Sequence, residues 1–209
     1  MKKLFFVLLV LALVVPMGLF AESRLGVNAA YGAVNTTYYA GTGSSDSNKI
    51  FAYNRGLHIQ LDYDYLFNSH IALNAQADAD LSHQCNIGWQ STPSQQYSPK
   101  IGYGAKVGVN FYLSFLRLGA GLRYQIMNMG FTGGTMSFKT LLLSMNADLV
   151  FNIGEKYGLV IGLDFGYPLS TKLTNRADSG ESMTSDLNIS KTMFSDGVFL
   201  VYGGFQFRF

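Results

Sequence analysis

Few residues in this 209-residue chain could carry catalysis. It has three histidines, His58, His70 and His83, and a single cysteine, Cys85. Hydrolytic chemistry needs a nucleophile, a base and a group that orients the base, all within hydrogen-bond reach. Only Asp80, Ser82 and His83 lie close enough in sequence to suggest such a set. A serine beside a histidine is common by chance, so no catalytic residue is assigned. The lone Cys and scattered His lack the ligand spacing of a metal centre. Glycine numbers 23, but no cluster joins a strand to a helix as a phosphate loop must. Neither a metal nor another cofactor is expected, and Cys85, with no partner for an internal disulfide, reads as a surface thiol.

The informative polar residues are charges with a regular spacing. Asp62, Asp64, Asp78, Asp80, Lys106, Arg117, Arg123, Asp148, Asp164 and Arg208 all fall on one parity of segments whose other parity is apolar. In 57–67 the odd positions are Leu57, Ile59, Leu61, Tyr63, Tyr65 and Phe67, separated by His58, Gln60, Asp62, Asp64 and Leu66. Period two is the mark of strands with two unlike faces. Segments 71–81, 101–113, 116–126, 141–153, 157–169 and 199–209 repeat the pattern, and 24–36 is a weaker eighth. Across the seven strong segments the apolar face carries no charge, and Gly203 is its only non-hydrophobic member.

Short turns fall at 68–69, 114–115 and 154–156, and long polar links at 37–54, 83–100, 127–139 and 170–198. Short turns at one end and long loops at the other describe an all-β, eight-stranded antiparallel up-and-down transmembrane β-barrel, with periplasmic turns and extracellular loops. Within the last link, Thr171 to Met193 is polar with three acids and three bases and reads as a flexible tip. Size decides which face is inside. Eight strands leave room for little more than side chains. The apolar parity, rich in Leu, Ile, Phe and Tyr, would overfill that space, whereas the polar parity carries Gly102, Gly104, Gly108, Gly119, Gly121, Gly158, Gly162, Gly166 and Gly204. Aromatics gather near both strand ends, as in interfacial girdles.

Charges inside so narrow a lumen must be paired or solvated. Pairing through the short turns sets Lys106 opposite Arg123 and His58 near Asp80. A network around Lys106 and Arg123 reaching Asp78, Asp148 and Asp164 is expected. It would brace the barrel or, alternatively, gate an ion or proton path.

Residues 1–21 have the layout of a secretory signal peptide: Lys2 and Lys3, an apolar run, then a break before Ala21. The expected mature barrel is 22–209. With 15 Lys+Arg against 13 Asp+Glu, loss of the two lysines leaves it formally neutral, which removes any electrostatic case for nucleic acid. The chain is 48% hydrophobic and only 13% charged, against about 25% in ordinary soluble domains.

The final residues alternate Phe205, Phe207 and Phe209 with Gln206 and Arg208. This closing strand resembles that of bacterial outer-membrane barrels, and the whole mature chain is similar in architecture to the small barrels of the OmpA, OmpX, OmpW and opacity-protein group. The resemblance implies the cell outer membrane, membrane lipid as surroundings, reading of the terminal aromatics by the barrel-assembly machinery, and a monomer. Lipid-A-modifying barrels and outer-membrane phospholipases are also similar in location and fold, but no His or Ser lies on the apolar face of the seven strong segments. A non-enzymatic barrel is therefore expected. It either displays its loops for adhesion, host-factor binding or envelope integrity, or forms a narrow OmpW-like channel for small or hydrophobic molecules. Tyr38, Tyr39, Trp89, Tyr97 and Phe131 are the candidate loop contacts for a host or small-molecule ligand, since Trp and Tyr are common binding hot spots.

Overall fold

A computed structural model describes residues 22–39, 49–89, 95–189 and 197–209. The expected leader lies outside these residues. Among the described residues nine strands follow one another: β1 (Ser23–Tyr39), β2 (Lys49–Leu66), β3 (Ile71–Trp89), β4 (Gln95–Leu113), β5 (Leu116–Phe131), β6 (Gly134–Ile153), β7 (Tyr157–Ala177), β8 (Ser182–Ile189) and β9 (Gly197–Arg208). Every pairing is antiparallel. Successive strands β1 to β7 pair as neighbours, β7 also pairs with β9, and β9 pairs with β1, so eight strands close a ring. Reciprocal backbone hydrogen bonds of 3.0 Å between Ser23 and Phe209 carry the seam to its end.

The short turns have local causes. Asn68 accepts the backbone N–H groups of His70 and Ile71 at 2.8 and 2.9 Å through its side-chain oxygen, fixing the β2–β3 turn. Gly154 turns the chain between β6 and β7 with φ +69°, a conformation that costs glycine nothing.

Three expectations need correction. Where they are described, the long links are largely strand: β1 to β7 run on past the periodic segments, because Thr, Tyr, Asn and Gly continue the same inside–outside alternation without its hydrophobic contrast. The expected flexible tip after 170 is built from the end of β7 and from β8, a ninth strand. β8 pairs with β7 from Thr171↔Leu187 to Arg176↔Ser182 and touches β1 at Tyr38↔Ile189 and Tyr39↔Asn188. Residues 190–196 of that link lie outside the described set. Cys85 is not a surface thiol but fully buried, because β3 continues past 81 and carries it into the lumen.

The inside–outside assignment is the reverse of a soluble protein. Arg123 is 0% exposed while Val107 is 63% exposed and Phe205 59%. Outward Leu, Ile, Val and Phe from all eight ring strands form a continuous belt. Soluble monomers rarely expose apolar patches beyond a few hundred Å², so this belt is a lipid-facing surface.

Candidate functional site: the lumen

The lumen holds two charge clusters, one above the other, with an apolar core above both. The lower cluster centres on Arg117, at the start of β5. Its Nη1 donates to Asp62 and Asp64, each at 2.8 Å, and its Nε donates to Asp148 at 2.6 Å. One guanidinium thus joins β2 to β6 across the barrel. Neutral donors satisfy the remaining carboxylate oxygens. Asn74 donates to Asp62 at 2.6 Å and to Asp64 at 2.8 Å. Asn110 and the Tyr112 hydroxyl donate to Asp64, and Asn146 and the Tyr202 hydroxyl to Asp148.

The upper cluster centres on Arg123, six residues further along β5. It bridges Asp78 on β3 and Asp164 on β7, and its Nε donates to Gln125 at 3.0 Å. Ser144 donates to Asp164 at 2.8 Å. Lys106 sits between the clusters. It faces Arg123 across the β4–β5 pair, donates to Asn146 at 2.7 Å and lies 4.0 Å from Asp164. Above it, His58 and Asp80 are direct cross-strand partners, with Nε2 3.8 Å from the carboxylate. Among the described residues neither ring nitrogen of His58 has a hydrogen-bond partner.

Glycine makes room for these groups. A Cβ at Gly104 would overlap the Asp78 carboxylate, and one at Gly162 the Asp148 carboxylate. The space among Asn28, Asp62, Asn74, Gln76, Lys106, Arg117, Asn146 and Tyr202 leaves no room for a water molecule. Around Arg117 the lumen is closed by a plug of charged and polar side chains.

The expected network differs from this arrangement in one connection. Asp148 belongs to Arg117, its direct cross-strand partner, and not to the Lys106–Arg123 group. Arg208 stands apart at the short-turn rim, 3.7 Å from Glu22, which also accepts from Arg24 at 2.6 Å. Sequence reasoning missed Tyr112, Tyr202, Asn74, Asn110 and Asn146, although all five share the inward parity of the charges and were legible on that ground.

Toward the loop end the inward residues change to Val34, Ala52, Met127, Met129, Phe138, Val198 and Leu200, all buried. Tyr38 and Tyr97 pack against this core from above, Tyr38 with its ring 6.0 Å from Phe138. They are therefore part of the core's lid and not free loop contacts. Tyr39 pairs in β1, Phe131 is exposed beside the β5–β6 turn, and Trp89 ends β3 opposite Ile50. Phe205, Phe207 and Phe209 all face outward.

The one catalytic cluster the sequence offered is divided by the wall. A register shift beside Gly56 leaves His83 as an extra residue of β3, exposed and stacked on outward Tyr31 at 6.0 Å, while Ser82 donates to buried Asp80. His70 lies at the short-turn end, with Nδ1 3.1 Å from the Tyr112 carbonyl. Among the described residues no group of His, Cys, Asp and Glu is arranged to hold a metal.

No protein-family model matches the chain. No curated protein matches it in sequence. Solved structures do match in shape. The crystal structure of the outer membrane protein OprG from Pseudomonas aeruginosa superposes with a TM-score of 0.60 at 12% identity, covering 90% of this chain and 95% of that one. The solid-state NMR structure of outer membrane protein AlkL in DMPC bilayers superposes with a TM-score of 0.51 at 12% identity, covering 90% and 89%. With an apolar belt outside, a buried polar lumen and this shared shape, the chain has the fold of the small transmembrane β-barrels of bacterial outer membranes.

Proposed function

We propose that the protein is a non-conducting, non-enzymatic outer-membrane barrel that carries a strand-built platform above the membrane for surface contacts. The plug is the observation that carries this reading. Arg117 and Arg123 cross-link strands on opposite sides of the ring, and the space beside Arg117 has no room for water. Opening an axial path would part buried ion pairs, and breaking a buried pair costs about 3–5 kcal/mol. The platform is the extension of β1 to β7 with β8. Its edges pair and its centre packs as a small core, so it holds its outer residues in fixed positions, which lowers the ordering cost of binding.

The test is conductance of the refolded mature chain across a planar bilayer, with closure verified by heat-dependent gel mobility. The expected result is a folded, silent barrel. Discrete openings in the unmodified protein would overturn it.

A second reading, entry of a small apolar molecule from the loop end, is favoured by one observation: above the plug the lining turns apolar, with Met127 and Met129 at its centre. Methionine adapts to irregular shapes. An outer-wall groove of about 590 Å³ beside Tyr31, Phe51, Arg55 and Phe199 lies at the same end. Saturable binding of a fluorescent fatty acid, lost in Met127→Asp, would favour this reading over the first.

A further inference from the structure

The outer wall carries a polar site that neither the plug nor the core above it uses. At the loop end, outward residues of β4 to β7 converge on an open cleft of about 770 Å³, lined by Lys100, Asn128, Ser137, Lys139, Thr174 and Arg176. Its size falls in the range of about 300–1,000 Å³ typical of ligand clefts. Strand register sets the lining in a row: Lys100 faces Asn128, Asn128 faces Ser137, and Ser137 faces Thr174. Ser137 donates to Asn128 and Asn128 to the Ile101 carbonyl, each at 2.7 Å, so the floor is braced before any ligand arrives.

The charge of this cleft is unbalanced. Lys139 stands directly opposite Lys172, and like charges so placed destabilise a sheet. Asp186 relieves Lys172 at 3.1 Å. Among the described residues, no carboxylate lies within ion-pair distance of Lys100, Lys139 or Arg176. Asp178 and Glu181, on the β7–β8 turn beside Arg176, make no such pair.

Height selects the ligand. Lys139 is two residues beyond outward Leu141, about 7 Å along the strand, and Leu141 faces Tyr124. Ile101 and Tyr103, both exposed, form the lower edge of the cleft. This is the level at which a barrel's apolar wall and aromatic girdle give way to lipid headgroups.

We propose that the cleft binds the phosphate-bearing headgroup of an anionic lipid in the outer leaflet. Lys100, Lys139 and Arg176 make charge-assisted hydrogen bonds to phosphate oxygens, and the acyl chains descend over Ile101, Tyr103 and Leu141. A free anion would gain the charges but not the apolar edge.

The test uses the mature barrel in phosphatidylcholine nanodiscs doped with phosphatidic acid, with retained lipid counted by native mass spectrometry. The expected result is selective retention of phosphatidic acid, weakened about fivefold for each cation neutralised and about a hundredfold in the triple variant Lys100→Gln, Lys139→Gln, Arg176→Gln. Lys156→Gln, at a short turn on the other side of the membrane, leaves retention unchanged. Should the triple variant not fold, Lys139→Gln alone tests the site at the fivefold level. Equal retention of phosphatidylcholine, unaltered retention in a folded variant, an equal loss in Lys156→Gln, or displacement by inorganic phosphate alone would each overturn the proposal.

Discussion

The lower and upper halves of the lumen face the same problem and solve it differently. Both are lined by inward-parity residues of one continuous set of strands. Within the lipid belt the lining is centred on charge: Arg117 and Arg123 tie carboxylates from four other strands, with Leu66, Ala72, Val150 and Val160 buried below them at the short-turn end. Toward the loop end it is an ordinary apolar core of Val34, Met127, Met129, Phe138 and Leu200. Below, a lining that was apolar throughout would erase the contrast that fixes which face meets lipid, and a one-residue slip would then cost little. Above, no lipid competes for the apolar side chains, so burying them inside is enough. An ionic filling specifies register and an apolar one supplies adhesion.

The largest expected effect comes from Arg117→Ala, which strands Asp62, Asp64 and Asp148 together. Stability falls by about 3–5 kcal/mol, read as a loss of the heat-resistant gel form, and any folded fraction shows openings in a bilayer. Phe138→Ala also costs about 3–5 kcal/mol as a cavity in the upper core, but the folded barrel stays silent because the plug is intact. A conducting Phe138→Ala barrel would erase the functional distinction between the halves. Lys106→Met removes one charged hydrogen bond, to Asn146, and the longer contact with Asp164, which keeps Arg123 and Ser144, at a cost of about 1.5–3 kcal/mol in urea unfolding. This is well below Arg117→Ala, since Lys106 bridges the clusters without centring either. His83→Ala, on the outside of the wall, changes stability by no more than about 0.5 kcal/mol. A larger loss would place His83 in the structural core of the barrel.

How far these halves could be read from sequence follows from the physics of alternation. The outward face from Leu57 to Phe67 was legible because lipid enforces strict hydrophobic contrast there. Lys106 opposite Arg123 and His58 opposite Asp80 were legible because a short turn fixes register by counting. Arg117 as a centre was not. Its reach to Asp62 and Asp64 crosses the lumen, and which residues meet across a ring depends on strand tilt and stagger, quantities no single hairpin contains. The upper strands were hidden because lipid contrast ends where they leave the belt. Asn128, Thr135 and Ser137 then read as loop, although they pair as strand. The outward setting of His83 was not legible, because a bulge shifts parity without leaving a mark in composition.

The seam around β9 also sets how the molecule must come together. β9 has 12 residues and its neighbour β7 has 21. Beyond the end of β9, the edge of β7 is taken by β8 through a tight local hairpin at Asp178 to Gly180. The β1–β9 pairing, by contrast, joins opposite ends of the chain, from Arg24↔Arg208 to Asn35↔Gly197. Contacts of such wide sequence separation form slowly. Hairpins β1–β2 through β7–β8 can therefore exist as a curled, open sheet whose last free edges are β1 and the lower part of β7, and insertion of a single short strand converts it into a ring. Ring closure is then the expected slow step, and a substitution along β9 is expected to delay appearance of the heat-resistant gel form on refolding more than one of equal cost in β5.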